Sequence, residues 1–303
     1  MSRILVTGGA GFIGSNLVDR LVSDGHEVVV LDNLTTGKLE NVNEAAKFVK
    51  CDISDYEEIA PHFEGVEAVF HTAALARIQP SIQNPIAANN TNITGTLNVL
   101  WAAKNAGVKK VIYSGSSSVY GDHDPSEYPL KESLSTDPGS PYALQKMVGE
   151  MYCRLFSSLY NLPTVILRYF NVYGPRQLTE GAYAAVIGIF LDQKQNGNPM
   201  TIVGDGAKRR DFTHIKDIVQ GNILAWQKDP PVGEAVNLGA GKNYSVNEVA
   251  AMIGGETVNI PDRPGEYKMT LADNTKAREI LGWRPTVALA EGIAELKKLH
   301  GLE

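Results

Sequence analysis

The sequence predicts an α/β fold, a doubly wound parallel sheet carrying a smaller C-terminal lobe. Three observations support it. The chain opens on an apolar run that enters a glycine cluster and leaves as an amphipathic helix, Ile4-Leu-Val-Thr-Gly-Gly-Ala-Gly-Phe-Ile-Gly-Ser-Asn16. Further strand candidates alternate with helical stretches through the first half. Most are continuous Val/Ile/Leu-rich runs, the pattern of strands covered on both faces. After Gly174-Pro175 turn signals crowd in and helices shorten.

The first strand is expected over 3–7. Phe12, Ile13, Leu17, Val18, Leu21 and Val22 then recur at helical spacing, so a tight turn joins strand to helix. Gly8, Gly11 and Gly14 each remove a Cβ where the turn, a phosphate or the strand–helix contact must come close. The helix would aim unpaired N–H groups and its positive dipole end over the turn, which suits a pyrophosphate. A second strand, 27–31, runs into Asp32. An acid there, about twenty residues on, can accept hydrogen bonds from both hydroxyls of an adenosine ribose. Glycine turn, helix and acid in this order mark a dinucleotide site.

Strands are expected next at 47–49, 67–70, 109–114 and 163–168. A helix near 86–105 carries Ile93, Leu97, Leu100 and Trp101 on one stripe. The helix 142–160 is richer, with Leu144, Met147, Val148, Met151, Leu155, Phe156 and Leu159. That stripe is wider than one sheet contact needs, which predicts a partner subunit and hence a homodimer. Residues 1–170 form the expected cofactor domain and 171–303 a lobe over the carboxyl ends of the strands, with room for segments around 211–240 to return to the first domain.

Composition narrows the function. The 303 residues are 43% hydrophobic and 20% charged, enough for a full core. A formal charge of -6 argues against nucleic acid or an anionic membrane as a main partner. Cys51 and Cys153 lie far apart, no His/Cys/Asp cluster has metal-ligand spacing, and the two read as free thiols in a reducing compartment. No leader precedes the first strand and no apolar run nears membrane length, so a soluble cytoplasmic protein is expected.

The chemistry centres on Tyr142-Ala-Leu-Gln-Lys146, whose i, i+4 spacing puts both side chains on one helix face just after Pro141. A tyrosine with a pKa of about 10 is a poor base at neutral pH. A lysine ammonium one turn away would favour the phenolate. Strand 109–114 ends in Ser114-Gly-Ser-Ser-Ser-Val-Tyr-Gly121, which sets the Ser116 hydroxyl at a strand's carboxyl end.

With these residues assembled, the chain resembles an extended short-chain dehydrogenase/reductase, specifically a nucleotide-sugar epimerase of the UDP-glucose 4-epimerase type. The match runs nearly end to end. Thr7-Gly-Gly-Ala-Gly-Phe-Ile-Gly14 resembles the cofactor turn of a Rossmann-like domain, and Cys51-Asp-Ile53 the segment whose acid contacts adenine. His71-Thr-Ala-Ala74 is similar to the strand end along the cofactor, and Asn92 to an asparagine near the nicotinamide. The resemblance implies cofactor contacts from Gly8, Gly11, Phe12, Ile13, Gly14, Asp32, Asn33, Asp52, Ile53, Ala73, Ala74, Asn92, Ser114 and Tyr169. It implies a catalytic trio of Ser116, Tyr142 and Lys146, with Tyr142 and Lys146 also touching the cofactor.

Arg168-Tyr-Phe-Asn-Val-Tyr-Gly-Pro-Arg176 resembles the signature whose asparagine, here Asn171, holds the sugar diphosphate. Arg209-Arg-Asp-Phe-Thr-His214 and Arg263-Pro-Gly-Glu266 resemble the diphosphate-arginine segments, implying Arg210 and Arg263 on phosphate and Glu266 on the nucleotide ribose. Thr270 falls where such epimerases carry a bulky tyrosine beside the sugar's C2 substituent. Two segments depart from the family pattern: Gly115 stands where serine is usual, and Arg77-Ile-Gln-Pro80 differs from the usual loop.

The implied function is an NAD-dependent 4-epimerase acting on a UDP-sugar through a transient 4-keto sugar, with UDP-glucose, UDP-galactose and their N-acetyl derivatives as candidates. Asp32 favours NAD over NADP, because its carboxylate would meet the 2′-phosphate of NADP. A glucuronate-type 4-epimerase, a 4,6-dehydratase and a non-catalytic NAD-binding regulator are the alternatives. The dehydratases show Thr-Asp-Glu where this chain has Ser116-Ser117-Ser118. Trp226 and Trp283 are expected in the core of the second lobe, His62 and His123 at the surface, and His214 in a structural place.

Overall fold

The computed structural model describes residues 1–303 except 180, 182–183, 263–266 and 303. Six strands build the first half: β1 (Arg3–Thr7), β2 (Glu27–Asp32), β3 (Lys47–Lys50), β4 (Ala68–His71), β5 (Lys110–Ser116) and β6 (Thr164–Tyr169). Helices α1 (Phe12–Ser23), α2 (Tyr56–Ile59), α3 (Ile78–Gln83), α4 (Pro85–Asn89), α5 (Thr96–Asn105) and α6 (Pro141–Tyr160) lie between them. The second half adds β7 (Val172–Tyr173), β8 (Met200–Val203), β9 (Arg209–Asp211), β10 (Thr213–His214), β11 (Ala235–Leu238), β12 (Asn243–Ser245) and β13 (Thr257–Ile260). Its helices are α7 (Val186–Gln195), α8 (Ile215–Gln227), α9 (Val246–Ile253) and α10 (Leu289–Leu299).

The main sheet has seven parallel strands in the order β11-β6-β5-β4-β1-β2-β3. Its continuous apolar runs follow from side chains alternating between two covered faces. Ile4, Val6, Val28 and Val30 pack on one side with Leu17 of α1 and Ile218 of α8. Leu5, Val29 and Leu31 pack on the other with Val99 of α5 and Phe156 of α6. The strand order reverses between β1 and β4, which opens a crevice at their carboxyl ends. The second lobe has its own core of Tyr173, Phe190, Met200, Phe212, Val249 and Ile293. Among the described residues no helix is long and apolar enough to cross a membrane.

Three expectations need correction. Trp283 lies fully buried in the same core as Ile4 and Leu17, and Trp226 packs against that core edge-on to Phe70. Both therefore serve the first domain, because α8 lies on α1 and the segment after it crosses back; Trp283 Nε1 donates to Asp217 O at 2.8 Å. The imidazole of His123 is only 6% exposed, packed against Tyr120 with Nδ1 3.0 Å from Glu127. The helix expected over 86–105 is interrupted by a π-helical turn, Asn90–Gly95, which turns Asn92 inward. His214 behaves as expected: it is buried, and its Nδ1 accepts from Lys216 N to cap α8.

Candidate active site

The crevice is a cleft of about 500 Å³ running from the glycine turn to Arg210 and Phe212 of the second lobe. Gly8 has φ 71°, and a Cβ on it would lie 2.7 Å from Ala73 Cα. A Cβ on Gly14 would lie 2.2 Å from the Gly8 carbonyl oxygen, so only glycine lets α1 start this close to β1. The first-turn N–H groups of Phe12, Ile13 and Gly14 precede any intrahelical acceptor, and these residues line the cleft.

Across from them Asp32 is buried at the end of β2, its carboxylate accepting from Ala10 N (3.0 Å) and Leu34 N (2.8 Å). Burial raises its pKa against those two hydrogen bonds. Asn33 Nδ2 donates to Asp52 Oδ2 at 2.7 Å. Burial would raise the Asp52 carboxyl, but hydrogen bonds from Ser54 and Asn33 outweigh it and hold the group below its ordinary value. Cys51 beside it is a buried thiol pushed up to about 11, first by burial and then by Glu58, Asp52 and Asp32, which leaves it inert as a nucleophile. Ile53, Ala73 and Ala74 line the cleft. A narrow glycine floor, open N–H groups and an acid at the far side fit a dinucleotide.

Behind the cleft wall, the buried side chain of Asn92 grips the loop after β4. Its Oδ1 accepts from Leu75 N (2.9 Å), and its Nδ2 donates to Leu75 O (3.0 Å) and Gln145 Oε1 (2.8 Å). It therefore shapes the wall rather than facing the cleft. His71 at the end of β4 has Nδ1 2.7 Å from Thr7 Oγ1 and Nε2 2.9 Å from Thr96 Oγ1.

The reacting end lies where β5 meets α6. Ser140 Oγ accepts from Ala143 N and Pro141 occupies the first turn, which starts α6 at the cleft. Gly149 lets the helix close on β5, since a Cβ there would lie 2.1 Å from Tyr113 Oη. Ser116 and Tyr142 both face the cleft, and Ser116 Oγ lies 2.9 Å from Ser118 Oγ. Burial holds the Tyr142 phenol above its ordinary value, against the smaller opposing influences of the Ser116 hydroxyl and the Arg77 guanidinium.

Lys146 stands one turn behind. Its Nζ donates to Ser114 O at 2.9 Å and sits 5.0 Å above the Tyr113 ring, and burial lowers its pKa to about 8. Ser114 Oγ lies 3.1 Å from Tyr169 Oη, which donates to Asn222 Oδ1 at 2.9 Å; burial pushes the Tyr169 phenol up to about 12.

On the second lobe's side, Asn171 (φ 29°) donates through Nδ2 to Asp211 O at 3.0 Å and Thr270 Oγ1 at 2.9 Å. Thr270 Oγ1 also accepts from Asp211 N at 3.1 Å. Arg210 on β9 lines the cleft, with Nη1 donating to Arg209 O at 2.9 Å. Arg263 and Glu266 lie outside the described residues. Tyr267 and Arg77 are among the cleft residues outside the sequence-based site. Tyr267 lines the cleft with its hydroxyl donating to Ser118 O (3.1 Å) and accepting from Gly139 N (3.3 Å). Arg77 also lines it, from the segment whose departure from the family pattern was its only signal.

Fold and cleft together define a dinucleotide-dependent enzyme with a tyrosine and a serine at its reacting end. The model of the NAD-dependent epimerase/dehydratase family matches residues 4–239, and the chain belongs to that family. It is 41% identical over 310 residues to the UDP-glucose 4-epimerase of Mycolicibacterium smegmatis, covering 97% of this chain and 96% of that one. Among solved structures it is similar to a UDP-glucose 4-epimerase from Thermotoga maritima determined with UDP-glucose, with TM-score 0.93, 39% identity and coverage of 98% and 99%. It is likewise similar to a UDP-N-acetylglucosamine 4-epimerase from Methanobrevibacter ruminantium in complex with UDP-N-acetylmuramic acid, with TM-score 0.91, 37% identity and the same coverage.

Proposed function

We propose that this enzyme is an NAD-dependent UDP-sugar 4-epimerase that interconverts UDP-glucose and UDP-galactose. The observation that carries the reading is a dinucleotide-fitting cleft with the side chains of Ser116 and Tyr142 facing it together at its reacting end. Residues 1–170 serve as the cofactor domain, to which β11 adds a strand, and 171–303 as the substrate lobe. Gly8, Gly11 and Gly14 let the first turn of α1 meet the pyrophosphate, and Asp32 holds the adenosine ribose and disfavours NADP. When bound, NAD would supply the hydride acceptor and donor for C4 of the sugar.

The chain's own residues handle the proton and the sugar. Tyr142 as phenolate takes the proton from O4, with Ser116 bridging to that oxygen, and a 4-keto sugar results. Asn171 and Arg210 hold the diphosphate, so the sugar can turn its other face before Tyr142 gives the proton back. Lys146 anchors the cofactor ribose. The name of the relative and the ligand of the solved neighbour support UDP-glucose as substrate.

A homodimer through α6 is part of the proposal. Leu144, Met151, Leu155 and Leu159 are exposed along one side of α6, with Met151 56% and Leu159 63% exposed, beside Trp101 of α5. A continuous apolar face of this kind suits a helix-bundle interface. The two free, widely separated cysteines support a cytoplasmic location.

Incubation with UDP-galactose deuterated at C4 tests the reaction. UDP-glucose that keeps the label at C4 supports epimerisation within one bound molecule. Loss of the label to water, or a product lacking the elements of water, would refute it.

A further inference from the structure

Tyr267 ties the second lobe to both segments that carry the reacting side chains. It is buried at the cleft, and its hydroxyl sits between two backbone groups far apart in sequence. It donates to Ser118 O at 3.1 Å and accepts from Gly139 N at 3.3 Å. The ring packs so closely on Gly139 that a Cβ there would lie 3.2 Å from Tyr267 Cε1. On the first segment, Ser118 N donates to Ser116 Oγ at 3.2 Å, and the Ser118 hydroxyl lies 2.9 Å from the same oxygen. Ser118 thus aims the Ser116 hydroxyl, and Tyr267 holds Ser118. On the second, Gly139 leads into Ser140, whose Oγ accepts from Ala143 N at 3.2 Å and so starts α6 where it presents Tyr142.

The residues after Tyr267 lie along β9, which carries Arg210. Arg209 N donates to Lys268 O and Thr270 N to Arg209 O, both at 3.0 Å. The same stretch is held to the chain beyond Ser118. Lys268 N donates to Asp122 Oδ1 at 2.9 Å, and Tyr128 Oη to Met269 O at 3.1 Å.

We infer, on the reading of Ser116 and Tyr142 as the groups that handle the O4 proton, that Tyr267 is a positioning residue. Its hydroxyl sets those two side chains in register with each other and with the strand proposed to hold the diphosphate. One phenol oxygen can donate and accept at once, so a single atom fixes both segments. The ring carries little rotational freedom, which makes it a stiff spacer between β9 and the reacting end. Such a spacer matters for a sugar that turns over during the reaction: O4 must meet the same pair from either face while the diphosphate stays in place.

The holoenzyme is compared as wild type, Tyr267→Phe, Ser116→Ala and the double variant, with UDP-galactose conversion, UDP affinity, bound NAD and thermal unfolding measured for each. Tyr267→Phe keeps the ring against Gly139 and removes the hydroxyl alone. It should retain NAD and bind UDP as wild type does, while kcat and kcat/KM fall together by about tenfold or more. Small displacements of reacting groups cost up to about 10²-fold, and equal falls mark an interaction needed in the transition state. With Ser116→Ala already in place the same change should cost only part of that factor, because one of the groups it positions is gone. A wild-type kcat in Tyr267→Phe, a loss confined to UDP affinity or thermal stability, or factors that multiply fully in the double variant would overturn the inference. Near-full turnover in Ser116→Ala instead overturns the reading of the reacting pair, whatever Tyr267→Phe does.

Discussion

Acidification from pH 7 to 5 should destabilise the protein through one buried side chain, His71. Thr96 Oγ1 donates to Asn92 O at 2.7 Å, so it can only accept from His71 Nε2–H. Thr7 Oγ1, which accepts from Ala73 N, is left to donate to Nδ1. The neutral ring is thus satisfied on both sides at 1% exposure. Burial, and then the charge of Lys146, push its pKa from 6.5 down to about 3. Because the folded value lies below the unfolded one, the unfolded chain takes up the proton first as pH falls. The contribution is full above pH 6.5 and is lost progressively down to about 3. Each pH unit between them is worth about 1.4 kcal/mol, so pH 5 removes roughly 2 kcal/mol and pH 3 between about 4 and 5. Against a typical total of about 5–15 kcal/mol this is a large share. Urea unfolding at pH 7 and pH 5 should show wild type losing about 2 kcal/mol more than His71→Gln, which cannot titrate there. Equal losses in the two proteins would refute the argument.

Two further outcomes follow from the same geometry. If Thr270, which lines the cleft, stands beside the sugar's C2 substituent as the family resemblance implies, wild type should turn over UDP-N-acetylglucosamine as well as UDP-glucose. Thr270→Tyr should lower kcat/KM for the N-acetyl sugar by about tenfold more than for UDP-glucose, the discrimination a steric change of this size commonly gives; rejection of the N-acetyl sugar by wild type would instead assign the gate to Tyr267. Met151→Glu or Leu155→Glu should convert a dimer to monomers or aggregate on size-exclusion chromatography, whereas an unchanged dimer would locate the interface away from α6.

The parts of this molecule that local pattern dictates are readable in the chain itself. β1, the glycine turn and α1 announce themselves through a shift from strand to helical spacing around Gly8 and Gly14, and the parallel sheet through runs apolar on both faces. Asp32 is legible because it closes the second such run. What eludes the sequence depends on distant segments meeting. No local signal brings Trp283 onto the core of Ile4 and Leu17, some 270 residues away, which needs the chain to cross back after α8. The π-helical turn at Asn90–Gly95 accompanies the Asn92 contacts with Leu75 and Gln145, which are tertiary. Arg77 is the sharpest case. Residue type argues against its backbone conformation, and only the link from α3 through Ser81 to Tyr142 makes it intelligible.

The account stands most directly on Tyr142 as the group that moves the O4 proton. The decisive measurement is the rate of UDP-galactose to UDP-glucose conversion by wild type and Tyr142→Phe, each with its bound NAD quantified after extraction. The phenylalanine variant should fold and retain NAD as wild type does while turnover falls by roughly 10²–10⁴-fold, the usual worth of general acid–base catalysis. Near-full turnover in a variant that carries its NAD would contradict the account and give the proton to another residue.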